Sequence, residues 1–337
     1  MGNLGDDAIY DAVRSQLPGA TFLVMPRFQR EMARTYATGL NRSLRRSRQV
    51  VGGGTLVGTY DFRQLIKRGF TLTRNNGSYA IGVGVDDPFF ERRKNRSDKD
   101  ELKRWAPILS EFRIVSVRGP RSAELLSDIG VNVEVSGDPA LLLPRPDVAP
   151  EAGLVGLNLG FGDDDLWGQE PAKVAEEMAG AIKQLSSEGY RFVGILMNQV
   201  DKRWTGQALN GVAADIVHPV DANAAARELA RCSVAIVSRL HAGILAALSD
   251  TPVVQLEYLP KCRDFALSID DERSLIRTDE LTTAAVVDGV HNALADSANI
   301  EATTHAAVER LGSVPGSGVS DGGVSVPDVR GPSRESL

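Results

Sequence analysis

Residues 234–258 read VAIVSRLHAGILAALSDTPVVQLEY, and this stretch determines the fold class of the chain. Its first four residues are apolar and mostly β-branched, which predicts a buried parallel strand. Residues 242–248 consist of Ala, Leu, Ile and one Gly, a composition that favours a helix, and residues 252–256 repeat the composition of the strand. The stretch therefore predicts a β–α–β unit, with Ser238 at the N-cap of its helix.

The junction between this strand and this helix carries Ser238, Arg239, Leu240 and His241. A helix N-terminus offers unpaired N–H groups and the positive end of a dipole, which favour an anion. Both Arg239 and the helix end disfavour the charged form of His241, so we expect a neutral imidazole that donates a hydrogen bond or becomes charged when a phosphate binds. The alternative is a helix-end histidine bonded to the backbone.

The first half of the chain repeats this arrangement. Residues 113–117 read as a strand, Arg118 follows, and a helix comes next. Guanidinium groups pair bidentately with carboxylate or phosphate, so two of them at one cleft would suit a ligand with two anionic groups. The alternative is that each arginine pairs with a nearby acid, such as Glu124 or Glu257.

Strands alternate with helices along both halves, which predicts an α/β protein of two Rossmann-like domains with mainly parallel sheets. Ligands of such sheets bind beyond the carboxyl ends of the strands, so we expect the site in an interdomain cleft. The proline-rich residues 144–150 predict the boundary between an N-terminal domain, residues 1–143, and a C-terminal domain, residues 151–300. Residues 313–337 are rich in Gly, Ser, Pro and Val and predict a disordered tail.

The first residues read as a loop, residues 2–7, followed by a helix over residues 8–17. A loop of this kind needs a strand before it, so we expect either that upstream in-frame residues encode the strand or that the first sheet lacks it. Residues 21–25 are a candidate strand. The loop would bring Asn3 and Asp6 to the rim of the first domain, where they are site candidates or ordinary turn residues.

Composition excludes several classes of protein. The 337 residues carry a net charge of −6, so no overall basic field attracts nucleic acid or an anionic membrane. The two cysteines are isolated, which favours a reduced, cytoplasmic compartment and gives no metal-binding pair. No apolar run approaches the roughly 20 residues of a membrane span. The basic run RSLRRSR, residues 42–48, predicts a solvated helix face.

Several short motifs occur in a fixed order along the chain. The glycine triplet that includes Gly53 and Gly54 is one of them, and by itself it is a weak signal for a phosphate cradle. The motifs, over about residues 2–265, are GNLGD at 2–6, GGG at 52–54, SVRG at 116–119, GDPA at 137–140, SRLHA at 238–242, PVV at 252–254, Tyr258 and Lys261. Together they resemble the polysaccharide pyruvyl transferase family.

The resemblance implies a GT-B-like arrangement of the two domains and transfer of the enolpyruvyl group of phosphoenolpyruvate to a sugar as a ketal. The family's phosphoenolpyruvate contacts fall on Arg118, Arg239, Leu240 and His241. We expect His241 to be the proton donor or a phosphate clamp and Asp6 to be a base. We assign further substrate contacts within the matching segments to Asn3, Gly53, Gly54 and Lys261. We expect no metal or organic cofactor, and an acceptor sugar or polysaccharide precursor, lipid-linked or free.

Two other functions fit the same pattern. A GT-B-type glycosyltransferase could grip the diphosphate of a nucleotide-sugar with Arg239 and His241, but no acidic residue for the ribose is evident near the helix of the second domain. A non-catalytic binding protein of a polysaccharide gene cluster would agree with the absent first strand, whereas the intact segments around Arg118 and His241 oppose it.

Overall fold

The computed structural model describes residues 3–90, 99–162 and 165–312. The predicted disordered tail, residues 313–337, lies outside the described residues. Within the described part of the chain, the secondary structure forms two parallel sheets with helices packed on them.

The first sheet contains five strands of the described chain, and every pair in it is parallel. Its order is β1-β3-β4-β5, and β2 also pairs with β3. The strands are β1 (Gln49–Gly52), β2 (Thr55–Val57), β3 (Ser78–Val85), β4 (Ile114–Val117) and β5 (Glu134–Val135). The helices of this half are α1 (Leu4–Ser15), α2 (Gln29–Ala37), α3 (Leu40–Leu44), α4 (Tyr60–Thr73), α5 (Lys99–Lys103), α6 (Ala106–Leu109) and α7 (Pro120–Ser127).

The second sheet has six described strands, again all parallel, in the order β11-β10-β9-β6-β7-β8. The strands are β6 (Glu151–Asn158), β7 (Arg191–Ile195), β8 (Ala214–Val217), β9 (Cys232–Val237), β10 (Val253–Glu257) and β11 (Leu275–Arg277). The helices are α8 (Pro171–Ser187), α9 (Lys202–Ala208), α10 (Ala222–Ala230), α11 (Leu240–Leu248), α12 (Pro260–Ser268), α13 (Thr283–Ala295) and α14 (Ser297–Gly312).

The predicted β–α–β unit is present as β9, α11 and β10. Every residue of α11 except His241 is buried, which is expected for a helix that is apolar on all sides. The predicted N-cap is wrong: Arg239 occupies the N-cap without a side-chain bond to the helix. The Ser238 hydroxyl instead turns toward the end of β6, where it accepts from Gly160 N (2.7 Å) and donates to Gly160 O (2.9 Å).

The N-terminal segment also differs from the prediction. Helix α1 begins at Leu4, because Asn3 caps it by accepting a hydrogen bond from Gly5 N (3.1 Å). The Leu4 amide donates to Met197 O (3.1 Å), just beyond β7, so the start of α1 is bound to the second sheet. Residues 21–25 form no strand, since no described strand pairs with them, and Val24 is 83% exposed.

Contacts between the two halves bring the carboxyl edges of their sheets together. Asp264 of α12 accepts hydrogen bonds from Ser122 N (3.0 Å) and Ser122 Oγ (2.7 Å) in the first turn of α7. Helix α14 returns to the first half, where Leu311 packs against Gly137. The sheets lie on either side of residues 144–150, and the domain limits 1–143 and 151–300 remain a prediction.

Candidate active site

Arg118 follows β4 at the carboxyl edge of the first sheet, and its side chain is fully buried. Its Nη2 donates to Thr55 Oγ1 (3.3 Å). Its Nε and Nη1 have no hydrogen-bond partner among the described residues. Gly84 makes room for the guanidinium, because a Cβ at that position would overlap Nη2. The guanidinium of Arg118 is therefore fixed in place, and two of its three nitrogens can still donate hydrogen bonds.

Asp138 follows β5 and links the two halves of the site. Its Oδ1 accepts from Ala140 N (3.0 Å), which fixes the carboxylate. Its Oδ2 lies 3.7 Å from Arg118 Nη1 and 3.8 Å from His241 Nε2, beyond hydrogen-bond distance of either. The carboxylate is therefore shared between a guanidinium of the first sheet and an imidazole of the second.

His241 lies in the first turn of α11, and its side chain is 13% exposed. Burial lowers the pKa of this imidazole; Asp138 and Asp6 oppose the shift, whereas the charges of Arg118 and Lys261 add to it. The direction of this shift agrees with the prediction from the sequence, but its main cause is burial and not Arg239 or the helix end. A Cβ at Gly5 would overlap Nδ1, so the backbone of Gly5 in the first turn of α1 forms one wall of the imidazole site.

Arg239 does not join this cluster directly but is held by a buried carboxylate. Its Nε (2.9 Å) and Nη2 (2.6 Å) both donate to Asp201 Oδ1. Asn158 Nδ2 (3.1 Å) and Asn198 N (3.1 Å) donate to the other oxygen, Asp201 Oδ2. Burial opposes the charge of Arg239, but Tyr258 and Asp201 outweigh it and raise its pKa.

The acids proposed from the sequence as partners of the two arginines are not the ones that the structure shows. Arg118 lies near Asp138 and Asp264, and Arg239 pairs with Asp201. Glu124 pairs instead with Arg121, and Glu257 with Arg263. Both arginines therefore lie next to acids, but Asp138 and Asp264 are too far from Arg118 to accept hydrogen bonds from it.

A family model described as polysaccharide pyruvyl transferase matches residues 3–260. The chain belongs to the polysaccharide pyruvyl transferase family. Of the predicted site residues, those from Asn3 to His241 lie inside the match, and Lys261 follows its last residue. Among curated proteins, none matches this chain.

Solved structures similar to this pyruvyl transferase family member include a putative UDP-N-acetylglucosamine 2-epimerase from Listeria monocytogenes, with 14% identity, a TM-score of 0.55 and coverage of 90% of this chain and 83% of that one. The S. aureus MnaA–UDP co-structure has 14% identity and a TM-score of 0.55, covering 89% and 84%. The UDP-GlcNAc 2-epimerase from Neisseria meningitidis bound to UDP-GlcNAc has 11% identity and a TM-score of 0.52, covering 90% and 88%. At these identities the likeness concerns the fold, and the predicted GT-B-like α/β arrangement is confirmed.

The other predicted site residues of this family member are placed as follows. Leu240 packs its side chain in the core, so this side chain is not available to a ligand. Gly53 N donates to Ile81 O (2.9 Å), and Gly53 and Gly54 have φ values of 55° and 71°, so this turn requires glycine for its backbone. Lys261 Nζ lies 4.9 Å from the centre of the Tyr258 ring. Asp6 is exposed and acts on His241 through its charge.

Three residues of the site had no role in the sequence analysis: Asp138, Asp201 and Asp264. Asp138 could have been found by the rule that located Arg118, because it also follows a strand of the first sheet. Among the described residues there is no group of three or more His, Cys, Asp or Glu side chains that could hold a metal ion. No described helix is long and apolar enough to cross a membrane.

Proposed function

We propose that this family member takes phosphoenolpyruvate as its donor and moves the enolpyruvyl carbons onto two hydroxyls of a sugar, in a polysaccharide or its precursor, as a ketal. Three buried nitrogens without hydrogen-bond partners support the proposal: Arg118 Nε and Nη1 and His241 Nε2. Asp138 Oδ2 also lacks a partner, but it is an acceptor and favours the charged form of the imidazole. Each such group costs about 1–3 kcal/mol. Their meeting at the carboxyl edges of both sheets favours a small anion that accepts from the guanidinium and the imidazole.

The first step is protonation of the methylene carbon of phosphoenolpyruvate, which leaves an oxocarbenium-like centre at the carbon that bears the phosphate. We assign the proton to His241, with Asp138 as the nearby carboxylate whose charge stabilises the charged imidazole from 3.8 Å. The carboxylate of phosphoenolpyruvate is assigned to Arg118. A guanidinium that keeps its charge at any pH and is fixed by burial is suited to this task.

One sugar hydroxyl then attacks the cationic carbon, phosphate leaves, and the second hydroxyl closes the ring. The two hydroxyl protons balance the reaction, since one restores the acid and the other leaves with phosphate. We propose Asp6 as a base because it is exposed in the first turn of α1, directly after Gly5, whose backbone lies against the His241 imidazole. The phosphate is assigned to Arg239 and to the N–H groups of Leu240 and His241 in the first turn of α11. This scheme requires no metal or organic cofactor.

A nucleotide-sugar glycosyltransferase would need an acid to bind the ribose hydroxyls. Glu257 is the buried acid at the end of β10, and Arg263 holds both of its oxygens, Oε1 at 3.0 Å and Oε2 at 2.6 Å. Because that carboxylate is already occupied by a bidentate pair, the geometry favours the smaller anion.

The test compares ligands by thermal shift. Phosphoenolpyruvate at 100 times its Kd should stabilise the chain by about 2.7 kcal/mol and raise Tm, whereas UDP- and GDP-sugars should leave Tm unchanged. A panel of glycosides with vicinal or 4,6-diols is then screened for phosphate release from phosphoenolpyruvate. A rise in Tm with a nucleotide-sugar and none with phosphoenolpyruvate would overturn the proposal.

A further inference from the structure

The charge of the chain is distributed unevenly. Residues 26–48 contain seven arginines and a single acid, Glu31, so these 23 residues carry +6 in a chain whose net charge is −6. The rest of the chain therefore carries −12. The net charge of the whole chain argues against binding to an anionic surface. One segment of the chain is nevertheless strongly basic.

The acid of this segment does little to neutralise its arginines. Glu31 accepts hydrogen bonds from the backbone N–H groups of Arg27 (2.6 Å) and Phe28 (3.1 Å), which cap α2 and lower the pKa of Glu31. None of the described acidic residues forms an ion pair with five exposed arginines of the segment, which are Arg30, Arg34, Arg42, Arg45 and Arg46. Their charge therefore faces outward.

Helix α2 buries very little of its own surface. Thr35 is its one buried residue, although the helix has nine residues. Helices this short are marginal in water and usually depend on a packed face. Helix α2 contacts α3, and α3 contacts α4. Arg68 of α4 donates to the carbonyl oxygens of Pro26 and Arg27, which joins α4 to the same surface. We call residues 26–48 with the exposed side of α4 the arginine surface.

Exposed aromatic side chains lie on the same surface. Phe28 is 62% exposed, Tyr36 53% and Tyr60 57%. Arg27 lies over the rings of Phe28 (5.7 Å) and Phe62 (5.9 Å). Six of the ten exposed large hydrophobic residues of the described chain fall between positions 10 and 60, although this range is a small part of the whole. Exposed aromatic side chains and exposed arginines therefore occur in the same part of the chain.

We propose that the arginine surface binds an anionic phospholipid membrane. Arginines attract anionic headgroups, while aromatic side chains with one apolar and one polar end insert at the headgroup level. An anionic polysaccharide such as heparin would use the charge but has no apolar chains into which Phe28, Tyr36 and Tyr60 could insert. The membrane is thus the partner whose chemistry matches both features, and the inference does not depend on the identity of the donor substrate.

The test is sedimentation of the full chain with vesicles of phosphatidylcholine alone and with 30% phosphatidylglycerol. We expect binding to the anionic vesicles, weakened by salt. The variant Arg42→Gln/Arg45→Gln/Arg46→Gln should bind about 100-fold more weakly, since each basic residue near the surface contributes about fivefold. The control Lys173→Gln/Lys183→Gln/Arg227→Gln removes the same charge from exposed sites on α8 and α10 and should bind like wild type. All of these side chains are exposed, so both variants should keep the wild-type Tm.

A second variant, Phe28→Ser/Tyr36→Ser, separates a membrane from a soluble polyanion. It should weaken binding to anionic vesicles at least fivefold and leave retention on a heparin column unchanged. The proposal is overturned if wild type does not bind the anionic vesicles, if the charge variant and its control bind equally, or if the aromatic variant binds vesicles like wild type.

Discussion

The imidazole of His241 faces the carboxylate of Asp138, with Nε2 and Oδ2 3.8 Å apart. Burial holds the pKa of His241 below its ordinary value of 6.5. At pH 7 the unliganded site therefore contains a neutral imidazole. An anion that binds beside it stabilises the charged form and raises the pKa, so binding of phosphoenolpyruvate at pH 7 should take up a proton.

This proton uptake is measurable by calorimetric titration of phosphoenolpyruvate at pH 7 in two buffers of different ionisation enthalpy. We expect a fraction of a proton taken up by wild type, less by Asp138→Asn, because the amide cannot stabilise an imidazolium, and none by His241→Gln. Asp138→Asn keeps the oxygen that accepts from Ala140 N, so the loop should stay folded. Equal uptake in all three proteins would exclude His241 as the group that titrates.

Sequence patterns could locate Arg118 and His241, because the end of a parallel strand is visible as a short apolar run followed by a polar residue. They could not reveal Asp264 or Asp201 as partners. Asp264 contacts Ser122 across 142 residues and Asp201 contacts Arg239 across 38, and no local pattern encodes contacts of that range. The sequence therefore suggested Glu124, which is near Arg118 in the chain, and Glu257, which lies at the end of the strand after Arg239.

Helix α7 begins against helix α12 of the other half, and Gly119 permits the approach. A Cβ at Gly119 would overlap the backbone carbonyl oxygen of Asp264, which cannot move without shifting α12. The φ of Gly119 is −149°, a conformation that alanine also adopts, so contact alone determines the cost of a substitution.

Gly119→Ala should lower the free energy of unfolding by about 1–3 kcal/mol. Gly206→Ala is the matched control: it lies in α9, its Cβ would come no closer than 3.9 Å to Ile216, and alanine should stabilise the helix by up to about 1 kcal/mol. Urea unfolding of both variants gives the comparison. Two variants of equal stability would show that α7 and α12 do not depend on this contact.

Amino-acid composition was sufficient to predict those helices and strands that are buried on one face or on all sides. The unit β9–α11–β10 was predicted because its strands and helix are mostly apolar, with Ser233, His241, Gln255 and Glu257 as their polar residues. Residues 21–25 have a similar apolar composition and form no strand, because strand formation also needs a neighbouring strand and composition does not supply that information. The early start of α1 was missed because Gly2 and Gly5 suggested a loop, whereas Asn3 caps a helix there.

The whole molecule places its site between the two sheets, with Arg118 and Asp138 supplied by the first and His241 and Arg239 by the second. The contact of α7 with α12 and the return of α14 to Gly137 hold the two edges at this distance. A ligand bound by residues of both sheets should add a further link between them, so its binding depends on groups from each half.

The most direct measurement is calorimetric titration of phosphoenolpyruvate into wild type, Arg118→Lys and Arg113→Lys. Arg118→Lys keeps the charge but loses the planar fork, so binding should weaken by about 1.5–3 kcal/mol, roughly 10- to 150-fold. Arg113 is exposed at the opposite end of the same strand, and Arg113→Lys should bind like wild type. Melting curves establish that each variant is folded. Wild-type affinity in folded Arg118→Lys, or no binding of phosphoenolpyruvate by wild type, would contradict this account of the site.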